Sequence, residues 1–271
     1  MIFDPRPIGV FDSGIGGLTV LRELLLAFPY ETFIYLGDTA RLPYGSKSGN
    51  TVRKYSEQNL KFLLSRNVKA IVVACNTAST QINEDFYEGL PVYNVIDPGS
   101  HLAALTTKNN NVGILATRAT VKANSYEQKI KMQNPLINVF SVPCPLFVSL
   151  AEEGWHDDVI TEQVAERYLS DLKNKNIDTV VLACTHYPLL KKPIQKVLGP
   201  SVNLIDSGVA ISLILKIDFE KEKVKRTDQK NAPDQLLICL TDTGLQFENL
   251  STQLLADHTK SKIIFETVSV I

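Results

Sequence analysis

The sequence predicts an α/β protein made of two pseudo-symmetric halves, each a parallel sheet flanked by helices, facing one another across a cleft. Three observations predict it. Short β-branched apolar runs alternate with helical patterns along the chain, which implies parallel strands joined by helical crossovers. Two of these runs match: Ala70-Ile71-Val72-Val73-Ala74-Cys75-Asn76-Thr77-Ala78 and Thr179-Val180-Val181-Leu182-Ala183-Cys184-Thr185-His186-Tyr187. The same interval then separates Cys75 from Asp97 and Cys184 from Asp206, within the similar stretches Asn94–Gly99 and Asn203–Gly208. A repeat of this kind marks an internal duplication. Ligands of open α/β sheets gather at the carboxyl ends of strands, so both cysteines are expected in the cleft.

In chain order, Ile8–Ser13 reads as a first strand, Gly14-Ile15-Gly16-Gly17 as a turn, and Leu18, Val20, Leu21, Leu24 and Leu25 as one helix face ending near Pro29. Phe33–Leu36 is a second strand and Arg41–Ser46 a loop. Residues 50–65 form an amphipathic helix with Leu60, Leu63 and Leu64 on its apolar side. After the first cysteine strand come a helix near 79–88 and a strand over Val92–Asp97. The pattern restarts with a strand at Val112–Thr117, a helix from Thr120, a strand at Asn138–Val142, a helix around 158–173 and the second cysteine strand. Val202–Asp206 closes the series. An apolar helix follows, then a stretch at 216–230 dense in charge of both signs, expected to be a solvated helix end and loop. Leu236–Leu240 and Lys262–Phe265 are two more strands, too few for a third domain. The expected division is residues 1–97 with 209–271 as one domain and 98–208 as the other.

Composition narrows the function classes. A chain of 271 residues with 44% hydrophobic and 21% charged residues can build two ordinary cores. A formal net charge of −1 lacks the electrostatic term that non-specific nucleic-acid binders use. No apolar stretch is long enough for a membrane span, and the first residues, Met1–Pro7, carry no apolar signal core. A cytosolic protein is expected. The four cysteines, Cys75, Cys144, Cys184 and Cys239, show no zinc-type spacing and should be reduced thiols. Cys144 and Cys239 read as core residues. A metal is poorly supported, because His186 is the only histidine near either remaining cysteine in sequence.

Asp12–Gly17 invites a nucleotide-binding reading, with Asp38 as the acidic partner at the end of the second strand. The third glycine position is Thr19, however, and Asp12 would bring a carboxylate towards phosphates. Asp12 can instead hold a cation, assist proton transfer, or cap the following helix. Two cysteines at equivalent points of facing halves suit a nearly symmetric reaction: one removes a proton from a carbon and the other delivers a proton to its opposite face. A thiol fits this work because its reference pKa of about 8.5 is readily moved by neighbours. His186 could supply such a neighbour to Cys184.

The stretches Val10–Leu18, Asp38–Gly45, Ala74–Ala78 and Leu182–Pro188 together resemble the glutamate racemases, within the cofactor-independent aspartate/glutamate racemases. The resemblance runs over essentially the full length and implies flavodoxin-like domains with the active site between them. It implies that Cys184 is the base acting on L-glutamate and Cys75 the base acting on D-glutamate, with Asp12 and His186 as their helpers. The family's catalytic glutamate follows a stretch matched here by Phe147–Ala151, which points to Glu152, with Glu153 adjacent. Asp12, Ser13, Tyr44, Gly45, Asn76, Thr77, Thr117, Thr120, Thr185 and His186 look like substrate-binding positions. No cofactor and no metal are implied, the product would feed peptidoglycan synthesis and so cell-wall biogenesis and cell shape, and members are often homodimers. The rival readings are a racemase for another amino acid such as aspartate and a two-lobed binding protein without chemistry.

Overall fold

The structure, a computed structural model, describes residues 3–228 and 233–270. Met1, Ile2 and the last two residues of the charge-dense stretch, 229–230, lie outside the described residues. In chain order the first part comprises β1 (Ile8–Asp12), α1 (Leu18–Ala27), β2 (Phe33–Gly37), α2 (Gly49–Ser65), β3 (Ala70–Val73), the single turn α3 (Asn76–Ser79), β4 (Phe86–Tyr87) and β5 (Leu90–Asn94). The chain crosses through α4 (Ile96–Thr106) to β6 (Asn111–Ala116), α5 (Arg118–Ala123), α6 (Ser125–Gln133), β7 (Asn138–Pro143), α7 (Leu146–Glu152), α8 (Val159–Lys173), β8 (Thr179–Ala183), α9 (Lys191–Leu198) and β9 (Asn203–Asp206). It returns through α10 (Ser207–Glu220) to β10 (Gln235–Leu240), α11 (Leu245–Leu255) and β11 (Lys262–Thr267).

The strands form two sheets, ordered β11-β10-β2-β1-β3-β5-β4 and β7-β6-β8-β9. All pairings are parallel except β4 with β5. The run β2-β1-β3-β5 and the run β7-β6-β8-β9 have the same order, so the repeat seen in the sequence is a repeat of topology. The two late strands extend the first sheet beside β2, with Leu237 opposite Ile34 and Leu240 opposite Gly37.

Strand pleating sorts side chains to opposite faces. Ile8 and Val10 of β1 and Ala70 and Val72 of β3 pack with Leu18, Leu21 and Leu24 of α1 and Ile211 and Leu215 of α10. Phe11, Ile71 and Val73 face the other way, onto Leu60 and Leu63 of α2. The second sheet repeats this: Leu115, Val180 and Leu182 meet Ala165, Leu169 and Leu172 of α8, while Val112, Ile114, Val181 and Ala183 meet Ala103 of α4 and Ile130 of α6. Cys144 and Cys239 are buried in these cores, and all four cysteines are free thiols. At the amino ends of the first sheet, Lys69 Nζ sits 2.6 Å from Glu31 Oε2 and also reaches Asp4 O and Thr227 Oγ1, all but out of water.

Three expectations differ from the structure. No helix spans 79–88; α3 stops at Ser79, and β4 and β5 make a hairpin whose turn residues Glu88 and Gly89 have φ of 47° and 80°. Two consecutive positive φ values are the signature of a type I′ turn. The strand expected over Val92–Asp97 stops at Asn94, because Asn94 Oδ1 accepts hydrogen bonds from the Ile96 and Asp97 amides and opens α4. Asp97 and Asp206 therefore differ: Asp206 caps α10 through Gly208 N, while Asp97 lies within α4 and pairs with Lys129. Asp218, within the charge-dense stretch, is buried and accepts from Tyr93 OH. No described helix is long and apolar enough to cross a membrane.

Candidate active site

The carboxyl ends of β1, β3, β6 and β8 converge on a cavity of about 160 Å³ between the two sheets. That is well below the roughly 300–1,000 Å³ of pockets for drug-sized ligands and suits a free amino acid or similar molecule. Ser13, Tyr44, Gly45, Cys75, Asn76, Thr77, Thr117, Cys184, Thr185 and His186, all expected from the sequence, line it, so both thiols meet one small space. Asp12, Thr120 and Glu152 stand one layer back.

On the first side, Cys75 follows β3 and opens α3, where its Sγ accepts a hydrogen bond from Ala78 N at 3.4 Å and lies 3.9 Å from Ser13 Oγ. Asp12 ends β1 with its carboxylate fully buried; its Oδ2 accepts from Gly14 N at 3.1 Å and Gly17 N at 2.9 Å. Asp12 thus holds the turn into α1 while standing beside Cys75. Burial pushes the Cys75 thiol well above its ordinary pKa, and the Asp12 carboxylate pushes it the same way. Burial also raises Asp12, against the opposing His186 charge and the two glycine amides.

On the second side, Cys184 follows β8. His186 Nδ1 lies 3.8 Å from Cys184 Sγ, and His186 Nε2 lies 3.0 Å from Glu152 Oε1. Burial alone would lower the His186 pKa, but the contacts with Cys184 and Glu152 outweigh it and push it up to about 10. A line Cys184–His186–Glu152 therefore runs from the cavity outward, along which a proton can be held. Thr185 Oγ1 lies 3.4 Å from Asp12 Oδ1, tying the second side to the first.

Hydroxyls and amides fill the rest of the wall. Thr77, Thr117 and Thr120 form a triangle with Oγ1–Oγ1 distances of 3.0 to 3.1 Å. Asn76 Oδ1 accepts from Tyr126 OH at 2.6 Å, and Asn76 Nδ2 has no partner among the described residues. Tyr44 lines the cavity, while its hydroxyl bonds to the Asp38 carboxylate and accepts from Asn59 Nδ2 at 3.1 Å. Asp38 also binds Arg41 and Thr241, so it is not free to hold a ribose, which removes the acidic partner that the nucleotide reading required. Glu153 is exposed and its carboxylate has no hydrogen-bond or ion-pair partner among the described residues, while Glu152 reaches His186.

Arg118, Ser149, Pro145 and Val148 also line the cavity and were not anticipated. Arg118 carried a signal, since it lies between the anticipated Thr117 and Thr120. Tyr126 carried none, because only the fold brings it to Asn76. Among the described residues, no group of three or more His, Cys, Asp and Glu side chains could hold a metal ion.

Residues 22–212 match the Asp/Glu/Hydantoin racemase family. The chain is 49% identical to a glutamate racemase of Geobacter metallireducens over 75% of this chain and 76% of that protein. It is 46% identical to a glutamate racemase of Persephonella marina over 90% of this chain and 91% of that protein. Among solved structures, a glutamate racemase from Francisella tularensis in complex with D-glutamate is 41% identical, with a TM-score of 0.88 over 98% of both chains.

Proposed function

This chain belongs to the Asp/Glu/hydantoin racemase family, and on that premise we propose that it interconverts L- and D-glutamate without a cofactor, using two thiols on opposite faces of the α-carbon. The observation that carries the reading is the meeting of Cys75 and Cys184, from equivalent strand ends of a repeated topology, in one cavity of amino-acid size. In the L-to-D direction the Cys184 thiolate takes the α-proton, with the His186 imidazolium beside it and Glu152 behind. The electron pair left on carbon then takes the proton of the Cys75 thiol on the other face. In the D-to-L direction the two thiols exchange roles.

The resting cleft is asymmetric in a way that fits this sequence. Cys75, raised by burial and by Asp12, is held as a thiol ready to give its proton. His186, raised to about 10, carries positive charge at neutral pH on the other side. The barrier is the weak acidity of an amino-acid α-proton, so fixed donors in a closed, dry cleft must stabilise the growing negative charge. The unpartnered Asn76 amide, Thr185 and the backbone amides near Ser13 and Gly45 are the donors we assign to the carboxylates, with the threonine triangle completing the wall. Asp12 and His186 are assigned to the two thiols as proton-transfer helpers. We further assign residues 1–97 with 209–271 to one domain and 98–208 to the other. We place the enzyme in the cytoplasm as a homodimer supplying D-glutamate for peptidoglycan.

The test is incubation of L-glutamate with the protein in D₂O without added cofactor, following deuterium at Cα and chirality. Deuterium incorporation with inversion is the expected result. Binding without exchange would reduce the chain to a binding protein, and exchange with aspartate alone would reassign its substrate.

A further inference from the structure

Asn76 lines the cavity wall and has a buried NH₂ group that meets no partner among the described residues, which a buried polar group tolerates only where something else comes to meet it. A carboxamide can present either end, and a half-turn about its last bond exchanges donor for acceptor. What faces the other end therefore decides what faces the cavity. Tyr126 OH lies 2.6 Å from Asn76 Oδ1. That separation is normal for O–H···O and shorter than N–H···O bonds adopt, so the oxygen belongs at the tyrosine and the NH₂ is the free end of a residue that lines the cavity. Ser207 Oγ adds a longer contact of 3.4 Å to the same oxygen.

Tyr126 is itself held in place. It is buried on α6, and its ring packs over Gly99, where an added Cβ would come within 3.3 Å of the ring. Asn76 lies on α3 beside the first sheet and Tyr126 on α6 beside the second, so their bond crosses from one half of the fold to the other. We infer that Tyr126 is a positioning residue for the reaction: its hydroxyl fixes the Asn76 carboxamide so that the NH₂ is presented to a substrate carboxylate only when the two halves are together. The inference rests on the racemase reading for its consequence and on the geometry for its cause. Tyr126 does not itself line the cavity and acts through Asn76.

A double-mutant cycle tests it. Tyr126→Phe keeps the ring and removes the hydroxyl. It should lower kcat/KM roughly tenfold, with the loss falling mainly on kcat, as for a donor used as charge develops. Asn76→Ala should lose roughly 10²–10³-fold, the usual effect of removing one such donor. Tyr126→Phe should then add nothing beyond about twofold in the Asn76→Ala background. A merely structural tyrosine would lower activity equally in both backgrounds, and that result, or wild-type activity in Tyr126→Phe, overturns the inference. Calorimetric titration of D-glutamate into the wild type accompanies the cycle. Binding without racemisation in the wild type would sink the racemase reading alone, and racemisation with additive losses would sink the positioning role alone. A wild-type chain that does neither overturns both.

Discussion

His186 Nε2 meets Glu152 Oε1 at 3.0 Å, so of the two adjacent glutamates it is Glu152 that reaches the cleft's histidine. The histidine's raised pKa, about 10 against an ordinary 6.5, gives the pair a pH signature. A histidine whose folded pKa is raised adds stability that is complete below about pH 6.5 and is lost as pH rises towards the folded value. Glu152→Gln removes one of the two groups that raise it. The alkaline limb of the rate profile should move to lower pH, and the thermal stability lost should be greater near neutrality than above about pH 10, where the wild type has lost it already. Glu153→Gln should do neither. Identical pH profiles for the two variants would remove Glu152 from the relay.

Cys75→Ala and Cys184→Ala should each abolish racemisation, by roughly 10²–10⁴-fold or more as expected for loss of an acid–base group, while circular dichroism and melting temperature stay close to wild type. Each thiol is small and buried, so truncation leaves only a modest gap. Full activity in either variant would exclude a two-base mechanism.

Gly16 makes a sharper steric case. A Cβ at this position would press against Thr185 Oγ1 and lie 2.5 Å from His186 Nδ1. Gly16→Ala should displace the His186 ring and cost about 10²-fold in kcat/KM, the scale of a one-ångström misplacement, with the secondary structure intact. Wild-type kinetics in Gly16→Ala would show that His186 can shift without consequence.

Much of this site could be read in the sequence because it lies at strand ends, where local pattern and function coincide. Cys75 and Cys184 stand out because each ends a β-branched run, and the glycines after Asp12 mark a turn whatever they surround. What stayed hidden was contact across the fold. Tyr44 was legible as a site residue, yet its hydroxyl turns away to Asp38, a direction no spacing encodes. Tyr126 reaches Asn76 from α6, and Thr19 Oγ1 reaches Thr185 O at 2.8 Å, through folding alone. The helix expected near 79–88 gives way to a hairpin at Phe86–Leu90. The left-handed pair Glu88-Gly89 turns the chain there.

Lys69→Met tests the ion pair at the far end of the first sheet. Its removal strands Glu31 in a site with little access to water, so the chain should lose about 3–5 kcal/mol in a denaturant titration. Racemase activity below the melting transition should persist, because the pair lies at the amino ends of the strands and the cleft at their carboxyl ends. Unchanged stability would mean that water reaches Glu31 freely.

The chain leaves the first sheet through α4 and comes back through α10, and these two helices pack side by side. A single crossing would let the halves swivel like beads on a string. Two adjacent crossings act as the paired pins of a door and restrict the halves to swinging about one line. Spin labels at Ser46 of the first half and Ser149 of the second, both at the cavity, should therefore approach when glutamate binds, while pairs within one sheet hold their spacing. No change across the cavity would mean the door is already shut. A door with one axis closes the same way each time, so both thiols can be brought to bear on a single carbon without any separate device to align them.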